Sequence, residues 1–104
     1  MTAVRIQERA ALRLDEIYRY TLERWGKDQA DHYLKILFES FEQAAAGDLP
    51  LRPIPAEFGV AGFFYRSQKH FVYCKRLQTG ELGIVAIVHE RMQQIDRLKN
   101  HFKG

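Results

Sequence analysis

Residues 63–89 read FFYRSQKHFVYCKRLQTGELGIVAIVH, and this stretch decides the fold. It contains three runs rich in β-branched and aromatic residues, at positions 63–66, 70–76 and 82–88. Polar segments at 67–69 and 78–81 separate the runs and are typical of turns. Short strands joined by tight turns predict an antiparallel meander. The third run is almost wholly apolar, which predicts an interior strand with both faces covered.

Two amphipathic helices are predicted on the N-terminal side of the meander. Apolar residues recur at steps of three and four in both, as expected for one face of a helix. In the first helix they are Leu14, Ile17, Tyr18, Thr21, Leu22 and Trp25, and in the second Ala30, Tyr33, Leu34, Leu37, Phe38, Phe41 and Ala45. Gly26 and Gly47 end the two helices, and Asp28 is the predicted N-cap of the second. So short a connection predicts an antiparallel helical hairpin.

The remaining segments complete the predicted order. Val4–Ile6 alternates as a short strand, residues 47–55 hold all three prolines and form a loop, and Met92, Ile95, Leu98 and Phe102 have helical spacing. The order is β-α-α-β-β-β followed by a short C-terminal helix. We therefore predict a single α+β domain, residues 1–104, with two layers: a helical hairpin on a small, mainly antiparallel sheet. The far face of that sheet would be only partly covered and is where function could lie.

Composition narrows the class of protein. The 104 residues include one cysteine, Cys74, so no disulfide forms within the chain, and a cytoplasmic location is expected. No run is long enough to span a membrane, and the N-terminus has no secretory signal pattern. Residues 1–51 carry seven basic and nine acidic residues, whereas residues 52–104 carry nine and four. The basic half suggests an acidic partner, although solubility alone explains it equally well.

The residues offer little classical catalytic chemistry. The four histidines are scattered without paired ligand spacing, so neither a metal site nor another cofactor site is expected. Cys74 lies in the middle of a strand, where a thiol behaves as a small apolar group. Strict alternation places Val85, Ile87 and His89 on one face of the third run, and Ile84, Ala86, Val88 and Glu90 on the other. His89 and Glu90 are then not an adjacent acid–base pair, which favours structure or binding over catalysis.

Three stretches together resemble a known family. They are YRYTLERWGKDQADHYL, FFYRSQKHFVYCKR and IVAIVHERMQQIDRL, and their hallmarks are Tyr20, Thr21, Trp25 and Gly26 in the first and His89, Arg91 and Met92 in the last. They resemble the ParE toxins of bacterial ParDE toxin–antitoxin modules, within the RelE/ParE superfamily. The resemblance implies a RelE/ParE-like fold over nearly the whole chain.

The same resemblance implies a function and partners. ParE-like toxins inhibit DNA gyrase by binding, without a chemical step of their own. They are neutralised by a ParD-like antitoxin, whose ribbon-helix-helix part binds the operator, so DNA would be contacted only through the antitoxin or gyrase. One alternative is a RelE-like, ribosome-dependent mRNA endonuclease with His89 as acid or base and Arg66 and Arg91 on the phosphate. Another is an inactive protein-binding relative.

We predict no catalytic residue and a binding surface on the sheet. Its candidate contacts to antitoxin or target are Arg66, Phe71, Tyr73, Arg76, His89, Arg91 and Met92, with the three arginines placed to meet carboxylates. Tyr18, Trp25 and Tyr33 are either core or contact residues, and their helical phase favours the core. The resemblance also implies that the tail after Met92 serves toxicity. Deleting residues 96–104 would then abolish growth arrest more than antitoxin binding.

Overall fold

A computed structural model describes residues 4–92 of the chain. Its helices are α1, Glu8–Trp25, and α2, Lys27–Ala46. Its strands are β1, Val4–Ile6; β2, Arg52–Pro53; β3, Phe63–Ser67; β4, His70–Arg76; and β5, Leu82–His89. Short 3-10 turns follow β2 and β5, at Ala56–Phe58 and Glu90–Met92. The predicted C-terminal helix, with Ile95, Leu98 and Phe102, lies outside the described residues.

The five strands form one mixed sheet in the order β1-β5-β4-β3-β2. The meander β3-β4-β5 is antiparallel as predicted, and β1 pairs with β5 in parallel. Both helices lie on one face of the sheet, so the two-layer α+β prediction is confirmed. The proline-containing loop differs from the prediction in one detail, because Arg52 and Pro53 form a two-residue strand against β3.

A glycine residue sets the C-terminal end of each helix. Gly26 has a φ of 90°, which an L side chain rarely adopts, and its N–H closes α1 on Leu22 O at 3.0 Å. Gly47 ends α2 in the left-handed conformation, with a φ of 84°. The predicted N-cap was wrong: α2 begins at Lys27 directly after Gly26, so Asp28 lies within its first turn.

The main core lies between the helices and the sheet. Ala10, Leu14 and Ile17 of α1 and Leu37 and Phe41 of α2 are buried there. Facing them are the sheet residues Tyr65, Val72, Cys74, Leu82, Ile84 and Ile87. Buried polar groups in this layer have partners, since the Ser40 hydroxyl lies 2.8 Å from Tyr65 Oη and the Thr21 hydroxyl donates to Ile17 O. The hairpin is thereby held on the sheet by both packing and hydrogen bonds.

A β-bulge in β5 makes the predicted assignment of its residues to the two faces of the sheet partly wrong. Tyr73 pairs with Ala86 while Cys74 pairs with Ile84, so one extra residue lies between them on β5. The bulge shifts the alternation, and Ile84 joins Ile87 on the helix side of the sheet. Ala86 and Val88 stay on the opposite face as predicted.

That opposite face is partly covered by the chain itself. Ile54, Phe58 and Val60, from the segment between β2 and β3, pack over it. They meet the sheet residues Phe64, Phe71, Tyr73, Ala86 and Val88. This face of the sheet is therefore partly buried under the segment between β2 and β3.

Three apolar side chains assigned to helix faces are not core residues. Trp25 is 67% exposed, Phe38 45% and Leu22 39%. Trp25 and Leu22 lie in the last turn of α1, next to the hairpin tip, and Phe38 lies beside the edge of the sheet. Tyr18 and Tyr33 are half-buried and pack against the core, as their phase predicted.

Candidate functional site at the polar end of the sheet

The end of the sheet at the β3–β4 turn gathers most of the predicted site residues. We call it the polar end and define it by Arg66, His70, His89, Glu90 and Arg91, with Tyr33 beside them on α2. It forms because His70 and Ser67 face each other across the turn and His70 pairs with His89 of β5. Gln68, at a φ of 57°, anchors the turn by donating from Nε2 to Tyr33 O at 3.0 Å.

Arg66 is an exposed cation at this end. Its Nη2 donates to the Glu90 carboxylate, and its Nε donates to Gln68 O at 3.0 Å. Its guanidinium lies 5.8 Å from the centre of the Phe71 ring. The side chain is still 55% exposed, so a partner's carboxylate can reach it by competing with Glu90.

His70 is buried and held as a neutral imidazole. Lys69 N–H donates to Tyr33 Oη at 3.2 Å, and Tyr33 Oη and His70 Nδ1 are joined by a hydrogen bond of 2.6 Å. Burial, and then the nearby charges of Arg13 and His89, lower the pKa of His70 to about 4. The low pKa leaves His70 neutral at neutral pH, and the bond to Tyr33 holds its ring within the fold.

His89 packs edge-on against His70, with ring centres 5.2 Å apart. Arg91 N–H donates to His89 Nδ1 at 3.1 Å. This bond engages the Nδ1 lone pair, and His89 can donate a hydrogen bond to a partner from Nε2. Glu90 turns to Arg66 instead, so the two residues do not form an acid–base pair, as predicted.

The other predicted site residues lie elsewhere or are buried. Arg76 is at the far end of β4, about 20 Å from the polar end by strand rise, and donates from Nη2 to Ala45 O at 3.3 Å. Tyr73 was predicted to be a surface contact. It is only 1% exposed and stacks on Phe64, so it is a core residue instead. Phe71 is half-buried beneath Arg66. Met92 ends the 3-10 turn after β5, at the limit of the described chain.

The described residues offer few groups for metal binding or nucleophilic chemistry. Within residues 4–92 no group of three histidine, cysteine, aspartate or glutamate side chains is placed to hold a metal ion. The Cys74 thiol is buried, which raises its pKa to about 11. None of the helices among those residues is long and apolar enough to cross a membrane.

Comparison with known proteins identifies the family. The sequence model described as "ParE toxin of type II toxin-antitoxin system, parDE" matches residues 4–94. The chain belongs to the ParE toxin family. It is 34% identical to "Toxin ParE" of Escherichia coli over 104 residues, covering 100% of both chains. It is 31% identical to "Toxin ParE1" of Mycobacterium tuberculosis over 88 residues, which cover 85% of this chain and 88% of that one.

A solved structure supports the fold independently. A chain from the structure titled "Chromosomal ParDE TA system from P. aeruginosa" matches with a TM-score of 0.65 and 20% sequence identity. The match covers 86% of this chain and 96% of that one. The family model and the curated relatives confirm the resemblance to ParE toxins that the three sequence stretches indicated, and the structural match confirms the α+β class.

Two parts of the polar end were missed from the sequence. Tyr33 was assigned to the core, but its phenol links α2 to both Lys69 and His70. The bond between Arg91 N–H and His89 Nδ1 is a local contact of residues two apart. A histidine followed by a 3-10 turn was the only available signal, and it does not specify a tautomer.

Proposed function

We propose that this ParE-family toxin stops growth by binding DNA gyrase, without a chemical step of its own, and that a ParD-like ribbon-helix-helix antitoxin neutralises it. Both partners would be met in the cytoplasm. Family membership supports the toxin role. The polar end supports the non-catalytic mode, because His70, His89 and Glu90 all form hydrogen bonds within the chain.

The observation that carries the proposal is the occupied Nδ1 of His89. An mRNA endonuclease needs a group that takes the proton from the attacking 2′-hydroxyl. His89 was the candidate for that role, and in this structure it accepts from Arg91 N–H at 3.1 Å. Its neighbour His70 is neutral, buried and bonded to Tyr33. What the polar end offers is a set of donors, which suits recognition of carboxylates.

Antitoxin binding follows the same chemistry. An acidic, initially disordered segment would become ordered on the toxin and place carboxylates on Arg66 and Arg91. Arg91 is exposed and forms no ion pair within the described residues. Phe71 beneath Arg66 adds apolar area next to the charge. If a partner's carboxylate displaced Glu90 from Arg66, the Arg66 guanidinium would remain in an ion pair.

The deciding experiment compares two activities of the purified full chain. Gyrase supercoiling should fall as toxin is added, while ribosome-bound mRNA remains intact. His89→Ala should leave RNA intact in the same way, because the wild type performs no cleavage. Ribosome-dependent cleavage by the wild type that disappears in His89→Ala would overturn the proposal in favour of the endonuclease.

Growth measurements complete the test. Induction without antitoxin should arrest growth, and co-expression of a ribbon-helix-helix protein encoded next to the toxin gene should restore it. Normal growth on induction, with the folded chain present and supercoiling unaffected, would instead identify an inactive binding module.

A further inference from the structure

A groove lies at the opposite edge of the sheet from β2, between β1 and α2. We call it the edge groove, and it has a cavity volume of about 300 Å³. Its lining residues are Val4, Ile6, Phe38, Glu39, Phe41 and Glu42. Phe38 stands at its mouth, 45% exposed, in edge-to-face contact with the buried Phe41. The groove thus has an apolar floor that solvent reaches.

Among residues 4–92, the backbone of β1 provides an unpaired strand edge beside this groove. Gln7 N–H donates to Ile84 O at 3.0 Å, and Arg5 is in register with Gly83. Because the backbone groups of a strand alternate in direction, Arg5 and Gln7 face β5 while Val4 and Ile6 face outward. Within residues 4–92 no backbone hydrogen bond reaches Val4 or Ile6 from that side. The outward N–H and C=O groups are those that a further strand would use.

The rim of the groove is acidic. Glu39 and Glu42 are exposed on α2, and neither forms an ion pair within the described chain. The glutamate on the other side of β1, Glu81, is already paired with Arg5. The edge groove is therefore opposite in charge to the polar end, where arginines are exposed.

We infer that the edge groove binds an extended segment of a partner protein, added as a strand beside β1. Residues at alternate positions of such a strand point to the same side of the sheet. The positions facing α2 would hold an apolar residue against Phe38 and, two residues on, a lysine or arginine against Glu39 and Glu42. Main-chain hydrogen bonds to Val4 and Ile6 give affinity, and the two side-chain positions give specificity. This inference does not rest on the gyrase proposal.

A second copy of this chain fits the groove less well. If β1 paired with β1 of a second copy, the Arg5 side chains of both copies would lie on one face of the joined sheet. All four rim glutamates would still have no cation as a partner. An acidic segment is opposed by the same rim. The opposed charges of the two surfaces assign basic extended segments to the edge groove and acidic segments to the polar end.

The test uses a capped peptide of roughly eight residues, a common strand length, with the repeat Val-Thr-Lys-Thr. A matched peptide has glutamate in place of lysine. Amide NMR spectra of the full chain should shift at residues 4–6 and 38–42 on adding the lysine peptide. The glutamate peptide should bind there at least about tenfold more weakly. Absence of shifts at residues 4–6, or equal binding of both peptides, would overturn the inference.

Variants separate the strand edge from the apolar ring at the mouth of the groove. Val4→Pro removes an outward N–H while leaving the bonds to β5 in place, and should abolish binding. Phe38→Ala should weaken it about tenfold or more, and Leu12→Ala, on an exposed site of α1 outside the groove, should leave it unchanged. Unchanged spectra for β5 residues show that each variant is folded. Concentration-dependent shifts at residues 4–6 without peptide would identify a second copy as the occupant and refute the proposed partner.

Discussion

The polar end and the edge groove lie on the same small sheet and differ in how their polar groups are used. At the polar end, His70, His89, Glu90 and Arg66 all bond within the chain. At the edge groove, the outward backbone of β1 and the carboxylates of Glu39 and Glu42 have no such bonds among the described residues. The first region draws attention because its residue types are those of enzymes. For the second, binding is inferred from unmet hydrogen-bonding capacity and not from residue type.

The largest effect is expected at the floor of the edge groove. Phe41→Ala removes a ring that is 1% exposed and should lower the free energy of unfolding by about 3–5 kcal/mol. Phe38→Ala, the matched change at the mouth, should cost less than about 1 kcal/mol. Urea unfolding followed by circular dichroism measures both. Equal losses for the two rings would mean that the groove is closed in solution.

Acid should destabilise the fold through the polar end. Burial lowers the pKa of His70 to about 4 from its ordinary 6.5, so the unfolded chain takes up the proton first. The contribution of His70 to stability is complete above pH 6.5 and is lost as the pH falls toward about 4. The loss is on the order of 3 kcal/mol.

The control for this pH dependence is a second histidine. His70→Gln should flatten the fall in the free energy of unfolding below pH 6.5. His32→Gln, at an exposed position on α2, should retain the fall. An unchanged pH profile in His70→Gln would show that the polar end is more open than its hydrogen bonds indicate.

A smaller effect should follow from opening the polar end. Glu90→Gln removes the anion paired with Arg66, and at such partly exposed sites an ion pair contributes about 0–1 kcal/mol. The released guanidinium should bind the glutamate peptide up to about fivefold more tightly in an NMR titration. Glu39→Gln should leave that affinity unchanged and weaken the lysine peptide instead. If both substitutions alter both peptides alike, the two surfaces are not distinct.

The smallest change in stability is expected at a third place, the hairpin tip. Trp25 is 67% exposed, so Trp25→Ala should change the free energy of unfolding by under about 0.5 kcal/mol. Gyrase inhibition should also persist, since neither surface compared above includes this ring. Loss of inhibition with stability intact would place the target contact at the tip, outside both regions.

The order of elements could be predicted because each has a strong local signal. Glycines end both helices, the turns of the meander are polar, and β5 is continuously apolar, so β-α-α-β-β-β follows from spacing alone. The parallel pairing of β1 with β5 is not local, since it joins residues about eighty positions apart, and it creates the edge groove. The sequence therefore predicted the sheet and missed the groove that its edge forms.

The faces of the elements were predicted less well, for two physical reasons. A single extra residue in β5 reverses the alternation, and the apolar run there gives no sign of it. Helical phase identifies which side of a helix faces the sheet but not where the sheet ends. Trp25 and Phe38 therefore had the phase of core residues, although the sheet does not extend far enough to bury them. The hydrogen-bond partner of His70 is Tyr33, 37 positions away in the chain, and only the folded chain brings the two together.

The buried thiol of Cys74 has a practical consequence. With its pKa raised to about 11 and the residue 0% exposed, it will react slowly with maleimides or oxidants. A cysteine introduced at an exposed position, such as Glu42→Cys or Arg91→Cys, can then carry a fluorophore or crosslinker without removal of the native one. The purified protein can therefore be labelled at a single site, which allows the occupancy of either surface to be followed in solution.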